Sequence, residues 1–352
     1  QRLRRIRQLG LTQFVYPGAN HTRFQHAVGS MHLMGQAIEV IRSKGHEIEQ
    51  EEAEAVTMAI LLHDIGHGPF SHSLEYSLIR GISHESLSLM FMEQLNRQMK
   101  GRLELAIKIF RNQYPKRFLH QLVSSQLDMD RLDYLKRDSF FTGVTEGVIG
   151  SDRIIKMLNV KDDQLVVDEK GIYSIEKFLI ARRLMYWQVY LHRTVVSSEQ
   201  VLLMMLKRAR ALTAAGKDLF ATPALRFFLE YEPERQEEPD KEEFLRQFAL
   251  LDDYDILASA KVWTGHPDRV LSMLAGGLVN RQLFAVELND RPFDQNLVRE
   301  LRQKVSDRLS LTPEETGYMV ISDTVSNYAY SDLDDRITIM DKMENTRDIA
   351  DA

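Results

Sequence analysis

Cysteine is absent from the 352 residues of this chain. The chain can therefore form neither disulfide bonds nor bonds between a thiolate and a metal, and any metal site must be built from His, Asp and Glu. The sequence also has no run of about 18 consecutive apolar residues, so we expect no membrane role. The lack of cysteine agrees with a cytoplasmic location, which we expect.

The chain also has no excess of positive charge: its formal net charge is −6 at pH 7. A chain of this sign does not present the broadly basic surface that binds nucleic acid, so we do not expect a nucleic-acid partner. Single arginines can still bind phosphate groups. The cluster of Arg2, Arg4, Arg5 and Arg7 is either such a patch or, as we favour, a solvated helix face.

The chain is long enough for one large domain with an appendage or for two domains. Apolar residues repeat at helical spacing through most of the first two thirds. The pattern predicts helices over residues 28–43, 51–62, 84–99, 102–111, 117–136, 174–215 and 224–231. One interruption, residues 164–173, has two short β-prone runs around a turn signal and predicts a β-hairpin.

A charged, proline-bearing stretch over residues 231–240 predicts a linker. We therefore divide the chain into a helical catalytic body, residues 1–231, and a C-terminal helical and small α+β region, residues 232–352. The patterns there predict helices over residues 241–251, 266–275 and 295–309 and strands over residues 283–288, 317–321 and 336–340. The predicted fold class is mainly α, with a short β-hairpin and a small C-terminal α+β lobe.

The most informative stretch runs from Ala59 to His72, where an apolar helix ends in the ionisable pair His63 and Asp64. Glycines and a proline follow and stop the helix. Burying the pair without partners would be costly, whereas a divalent cation would compensate the buried negative charge and bind the imidazole. Two other segments complete a set of ligands. One lies upstream and ends at His26, and the other lies far downstream and contains Asp130.

This order of a His, a His-Asp doublet and a distant Asp resembles that of the HD-domain phosphohydrolases. Further segments resemble their deoxynucleoside triphosphate triphosphohydrolase branch. These segments are residues 8–10, 16–19, 23–26, 63–72, 84–85 and 130–138. The resemblance covers roughly the first 200 residues.

The predicted metal ligands are His26, His63, Asp64 and Asp130. Two imidazoles and two carboxylates suit one divalent ion of Mn, Fe, Ni, Co or Zn, or Mg where phosphates supply further oxygens. Successive residues on a continuous helix point about 100° apart, so His63 and Asp64 can share an ion only where their helix ends. The glycines after Asp64 provide that ending.

The resemblance also implies that His67, His72 and His84 line the cleft at the scissile phosphate, with Glu75 and Glu85 orienting a histidine. A histidine beside a carboxylate can stay charged near neutral pH and donate a proton to a leaving oxygen. We predict this role for His72 and His84. We expect His67 to contact the phosphate or the leaving 5′ oxygen, although each histidine taken alone would be an ordinary helix-end residue.

Two polar stripes repeat at helical spacing in the sequence. They are Asp130, Tyr134 and Asp138 on one helix and Arg182, Tyr186 and Tyr190 on another. Arginine suits phosphate, tyrosine suits sugar and base, and a carboxylate suits a hydroxyl or amino group, so facing stripes beside a metal would suit a nucleotide. Without the metal site, both stripes would be solvated helix surface.

The resemblance implies individual roles in substrate binding. Gln8 and Asp138 would hold the sugar 3′ hydroxyl, and Tyr134 and Tyr190 would pack on sugar and base. The phosphates would bind to Arg23, Arg131 and Arg182. Arg131 departs from the lysine of the family, which keeps the charge but changes the geometry, and Tyr186 and Trp187 replace a more basic sequence.

The resemblance implies hydrolysis of a deoxynucleoside triphosphate at the α-phosphate, which releases the deoxynucleoside and inorganic triphosphate. One alternative is an HD phosphohydrolase or phosphodiesterase that acts on another nucleotide. A second alternative is a nucleotide-sensing module without turnover. We expect a homo-oligomer, either a dimer or a tetramer.

Overall fold

The structure is a computed structural model that describes residues 1–70, 82–231, 241–324 and 336–351. Helices carry most of the described part that precedes residue 186. They are α1 (Arg23–Ser43), α2 (Gln50–Leu62), α3 (His84–Gln98), α4 (Glu104–Phe110), α5 (Arg117–Val123), α6 (Met129–Thr142), α7 (Ser151–Met157) and α8 (Ile172–Met185).

Helices continue through the rest of the described chain. They are α9 (Arg193–Ala214), α10 (Pro223–Glu230), α11 (Lys241–Leu250), α12 (Asp253–Trp263), α13 (Arg269–Val279), α14 (Gln295–Leu309) and α15 (Pro313–Thr316). This confirms the mainly α fold class. None of the helices in these ranges is both long and apolar enough to cross a membrane.

Helices begin where side chains can satisfy their first free backbone N–H groups. Thr22 and Gln25 form a capping box at the start of α1. Asp128 accepts a hydrogen bond of 2.7 Å from the backbone N–H of Arg131 at the start of α6. Since Asp128 interrupts an apolar pattern, the single helix predicted over residues 117–136 is wrong, and two helices stand there.

The single helix predicted over residues 174–215 is also wrong. It divides into α8, a π-helical turn over Tyr186–Tyr190, and α9. The ring of His192 accepts a hydrogen bond of 3.2 Å from the backbone N–H of Thr194 and so starts α9 afresh. The pattern also missed α12, which follows a capping box formed by Asp252 and Asp255.

A four-stranded sheet lies beside the helical body, in the order β1 (Leu158–Lys161), β2 (Gln164–Asp168), β3 (Thr338–Met340) and β4 (Thr346–Asp348). β1 and β2 are antiparallel and are joined by Asp162 and Asp163, both with left-handed φ (49° and 58°), the conformation of tight hairpin turns. The predicted hairpin is therefore displaced, because β2 pairs with the strand before it and residue 172 begins α8.

β3 confirms the strand predicted over residues 336–340 and pairs parallel to β2. The strands predicted over residues 283–288 and 317–321 are wrong, because neither segment pairs in the described sheet. Residues of high β-propensity form a strand only where a partner strand supplies hydrogen bonds. The predicted linker, residues 231–240, falls almost wholly outside the described residues.

Buried apolar side chains form two clusters. One lies among α1–α8 and the sheet, and the other joins α9–α13 to Phe70, Leu87 and Phe91 of the N-terminal half. Asp253 accepts hydrogen bonds from the backbone N–H groups of Arg7 (3.0 Å) and Phe70 (3.1 Å). The division of the chain near residue 231 stays a prediction, and contacts cross it close to the predicted site.

Candidate metal centre and active site

Three predicted metal ligands meet where α1, the end of α2 and the start of α6 come together. Nε2 of His26 lies 2.9 Å from Oδ1 of Asp130, and Nε2 of His63 lies 3.5 Å from the same oxygen. One ligand atom from each of the three residues lies within 4.8 Å of the others. This group could therefore hold a single metal ion.

The state of the two imidazoles fits a metal ion. Nδ1 of His26 donates to Asp133 at 2.8 Å, and Nδ1 of His63 donates to the carbonyl of Ile60 at 2.5 Å. Both Nε2 atoms are buried and approach the same oxygen of Asp130, but neither makes a hydrogen bond of good geometry within the described residues, although buried polar atoms normally have such partners. A hydrogen bond at Nδ1 leaves the lone pair of Nε2 for a metal.

The charges around His26 also favour a cation. Burial lowers the pKa of His26, but its short contacts with Asp130 and Asp133 and the negative charges of Asp130 and Asp64 outweigh burial and raise that pKa to about 10. The pocket between these carboxylates thus stabilises positive charge on the imidazole. A divalent cation would take the place of that proton.

Asp64 lies beside this group, with its oxygens shared among several neighbours. Its Oδ2 accepts a hydrogen bond of 2.5 Å from Arg23 and lies 3.7 Å from Nε2 of His26. Its Oδ1 lies 3.2 Å from His67 and 3.3 Å from His63. Burial raises the pKa of Asp64, but the charges of His63 and Arg23 outweigh burial and lower it well below its usual value. Its role as a ligand stays a prediction.

Gly66 allows the end of α2 and the start of α3 to touch. A Cβ at this position would lie 2.2 Å from the carbonyl oxygen of His84 and 2.3 Å from the backbone nitrogen of Ser88, so only glycine fits there. Ser88 accepts a hydrogen bond from the N–H of Gly66 and donates one to the carbonyl of His63. This contact brings α3 to the metal centre.

His67 and His84 stack, with ring centroids 4.0 Å apart and an interplanar angle of 21°. Burial and the charge of Arg23 lower the pKa of His67 to about 3, so its imidazole is neutral at pH 7. Nε2 of His84 lies 3.1 Å from a carboxylate oxygen of Glu85. His72 and Glu75 lie outside the described residues.

A cavity of about 650 Å³ opens beside the metal centre. All of the predicted site residues that the structure describes line this cavity, except His26, which is fully buried. These are Gln8, Arg23, His63, Asp64, His67, His84, Glu85, Asp130, Arg131, Tyr134, Asp138, Arg182, Tyr186 and Tyr190. The fold therefore collects residues from six separate segments in one place, while their roles stay predictions.

The three predicted phosphate-binding arginines have different partners. Arg23 pairs with Asp64, and Arg131 pairs with Asp128. Arg182 is buried and donates a hydrogen bond of 2.8 Å to the neutral amide oxygen of Gln126. Within the described residues Arg182 makes no ion pair, so its charge is available to an anion in the cavity.

The aromatic part of the cavity is organised by Asp138. Its Oδ2 accepts a hydrogen bond of 2.8 Å from the hydroxyl of Tyr190, and its Oδ1 accepts one of 2.7 Å from His21. Tyr134 and Tyr186 contact the Tyr190 ring edge to face, with centroids 6.3 Å and 5.1 Å away. Asp138 therefore positions Tyr190, and its contact with a sugar stays a prediction.

The sequence analysis missed Asp133, which orients His26 and also pairs with Arg137 at 2.8 Å. Gly29 makes this contact possible, because a Cβ there would lie 2.0 Å from a carboxylate oxygen of Asp133. The spacing of Asp130 and Asp133 by three residues, on one helix face, was a usable signal. His21 gave no comparable signal.

The N-terminal arginine cluster is only partly the solvated helix face that the sequence analysis favours. Arg2 is buried and donates hydrogen bonds to the carbonyls of Ile65 (2.9 Å) and His67 (2.5 Å). Arg5 is half-exposed and pairs with Asp252 at 2.8 Å. Arg2 therefore supports the loop that carries His67.

A helical fold with one His on a helix, a His-Asp doublet at the end of the next and a distant Asp defines the HD-domain class. The HD domain model matches residues 23–138, and the HD associated region matches residues 149–225. The chain belongs to the HD-domain phosphohydrolase family, as the motifs implied.

Similar proteins agree with this assignment. The crystal structure of a phosphohydrolase from Bacteroides thetaiotaomicron is 55% identical, with a TM-score of 0.95 over 100% of this chain and 87% of that one. The uncharacterized protein YwfO of Bacillus subtilis is 34% identical over 82% of this chain and 66% of its own length. A deoxynucleoside triphosphate triphosphohydrolase SAMHD1 homologue of Dictyostelium discoideum is 32% identical over 56% of this chain and 42% of its own length. This chain thus spans less than half of the Dictyostelium relative.

Proposed function

We propose that this protein hydrolyses deoxynucleoside triphosphates at the α-phosphate and releases the deoxynucleoside and inorganic triphosphate. The observation that carries the proposal is a single cavity lined by candidate metal ligands, by three tyrosines and by the buried cation of Arg182, which makes no ion pair within the described residues. Metal, cation and aromatic rings match the phosphates, sugar and base of a nucleotide. The name of the Dictyostelium relative supports the choice of substrate.

His26, His63 and Asp130 would hold the divalent ion, with Asp64 as the predicted fourth ligand. When bound, the ion supplies Lewis-acid activation of a phosphoryl oxygen and of water. The mixed nitrogen and oxygen donors suit Mn, Fe, Ni, Co or Zn, and Mg where the substrate adds phosphate oxygens. Asp133 fixes the orientation of the His26 ring in the same arrangement.

Other side chains of the cavity would stabilise the phosphate charges and transfer a proton during hydrolysis. Arg23, Arg131 and Arg182 would neutralise the charge that develops on the phosphate oxygens. A water oxygen bonds to the α-phosphorus, the bond from phosphorus to O5′ breaks, and O5′ takes a proton. His84, which contacts Glu85, would donate that proton, whereas the neutral His67 would contact the phosphate.

The tyrosines would select the sugar. Tyr134 lies one helical turn from Asp130, and Asp138 lies two turns away, about 6 and 12 Å along the axis. A ring packed on the sugar leaves no room for a 2′ hydroxyl. Asp138 and Gln8 would bind the 3′ hydroxyl, which both sugars carry.

Product analysis tests the proposal. The purified protein, supplied in turn with each candidate metal, is incubated with deoxyribo- and ribonucleoside triphosphates, and the products are separated by chromatography. We expect metal-dependent release of deoxynucleoside and triphosphate. A nucleoside monophosphate as product would instead favour a different nucleotide phosphohydrolase, and nucleotide binding without turnover would favour a sensing module. A homo-oligomeric state and a cytoplasmic location stay predictions.

A further inference from the structure

Glu199 is a carboxyl group of the cavity that phosphate binding does not explain. It lies on α9, lines the same cavity as the metal ligands and is half-buried. Within the described chain it makes no hydrogen bond and no ion pair. An acidic group without a partner would repel phosphates, so Glu199 must serve a different part of the ligand.

Glu199 follows the tyrosine-bearing turn of the cavity in the chain. α9 begins at Arg193, directly after the turn that carries Tyr190, and both Val195 and Glu199 line the cavity. These two residues are one helical turn apart, so Glu199 lies about 6 Å further along the axis. The same cavity is therefore lined by the metal centre, by the tyrosines and, on α9, by Val195 and Glu199.

The electrostatics of Glu199 agree with this position. Burial raises the pKa of Glu199 to about 7, and no charge among the described residues contributes to the shift. Of the parts of a nucleotide, the neutral base suits an unpaired carboxyl group better than the phosphates do.

We propose that Glu199 selects the base and accepts hydrogen bonds from the N1–H and the 2-amino group of guanine, an inference that rests on the proposed function. A carboxylate has two acceptor oxygens and no donor. Guanine presents two adjacent N–H donors, whereas thymine presents one N–H between two carbonyl oxygens. A base that leaves the buried carboxylate unpaired is rejected because desolvation of the charge is then uncompensated.

The sharpest test compares dGTP with dITP, which lacks only the 2-amino group. At about pH 8.5 the carboxyl is ionised, since its pKa is about 7. We expect kcat/KM to be at least about tenfold higher for dGTP, the value of a hydrogen bond to a charged group. Glu199→Gln, which keeps the shape, and Glu199→Asp, which withdraws the carboxylate, should bring the two values within about twofold of each other. Glu176→Gln, on the exposed surface of α8, should leave the ratio unchanged.

A binding measurement separates this inference from the proposed function. Calorimetric titration of the full chain with dGMP and with dIMP, with a chelator present, reports base recognition without turnover. Tighter binding of dGMP than of dIMP, lost in both Glu199 variants, supports the inference. Absence of triphosphate release would contradict the proposed function and leave this binding result unaffected. Equal affinity for dGMP and dIMP in the unmodified protein overturns the role of Glu199. Thermal melting of the variants shows that they fold.

Discussion

Two cavities of nearly equal volume, about 650 and 660 Å³, lie on different faces of α9. Val195 and Glu199 line the first, which contains the candidate metal centre, and Val196 and Gln200 line the second. Each pair repeats at four residues, and the pairs are offset by one residue, or about 100° around the helix. One helix therefore borders both cavities, and their chemistry differs completely.

The second cavity is lined mainly by apolar side chains between residues 284 and 323, among them Phe284, Leu297 and Leu301. In the part of the chain that the structure describes, the one group of three residues found able to hold a metal ion belongs to the first cavity. Volume alone therefore does not identify a catalytic site. A catalytic site is identified instead by buried polar atoms that converge on one point, as the Nε2 atoms of His26 and His63 do at Asp130.

The largest effect is expected from loss of a metal ligand. His63→Ala and Asp64→Ala should remove both bound metal and activity, because a direct ligand is lost and its neighbours are left uncompensated. Elemental analysis of the purified variants measures the metal. His32→Ala, which removes an exposed imidazole of α1, is the matched control and should retain metal. Stoichiometric metal in His63→Ala would contradict the assignment.

Loss of the proposed proton donor should have the next largest effect. His84→Ala should lower kcat by about 10²-fold or more and leave the metal content intact, as general acid catalysis requires. Glu85→Gln keeps the histidine but weakens its orientation, so a smaller decrease is expected. Near-normal turnover in His84→Ala would make this stacked histidine structural.

Asp133 tests how much the metal centre depends on a residue that does not itself face the cavity. Asp133→Asn should weaken metal affinity by about 10- to 100-fold, the usual effect of losing such an orienting carboxylate. Competition with a metal indicator measures the change. Arg137→Gln removes the other partner of Asp133 but keeps the contact with His26. Equal losses in both variants would trace the effect to the ion pair.

Asp133 also shows which kind of contact the sequence does not predict. The group of candidate ligands His26, His63 and Asp130 could be predicted because these residues belong to recurring motifs, and α14 was predicted with its observed ends. The contacts of His26 with Asp133 and of His21 with Asp138 join residues more than 100 positions apart. The spacing of Asp130 and Asp133 places Asp133 on the ligand face of its helix, but which histidine each aspartate contacts depends on how the helices pack.

The errors in the fold have a similar cause. Asp128 and His192 start new helices inside apolar patterns that read as continuous. A strand needs a partner, and the β-prone residues 283–288 have none in the described sheet. Local propensity therefore placed most helices, while helix breaks and strands depended on tertiary contacts.

Tyr134 tests whether the first cavity distinguishes sugars. Tyr134→Ala should reduce the preference for deoxyribonucleotides by about tenfold, because the ring that excludes a 2′ hydroxyl is gone and steric rejection is worth about 1–2 kcal/mol. The measurement is kcat/KM for dGTP and GTP. Asp138→Ala should instead weaken binding of both. An unchanged ratio in Tyr134→Ala would favour a phosphohydrolase that acts on other nucleotides.

The smallest effect comes from adjacent residues that line different cavities. Val195→Thr and Val196→Thr make the same nearly isosteric change, which adds a hydroxyl without changing the volume much. Val195 lines the proposed nucleotide cavity, so its substitution places a polar atom against the ligand and should raise KM by about threefold to tenfold. Val196 lines the apolar cavity, so its substitution should leave KM within about twofold. Thermal melting controls for stability, since Val195 is the more buried of the two. Equal shifts in KM would show that α9 couples the two cavities. The cavities would then differ in the chemistry of their linings but not in their effect on substrate binding.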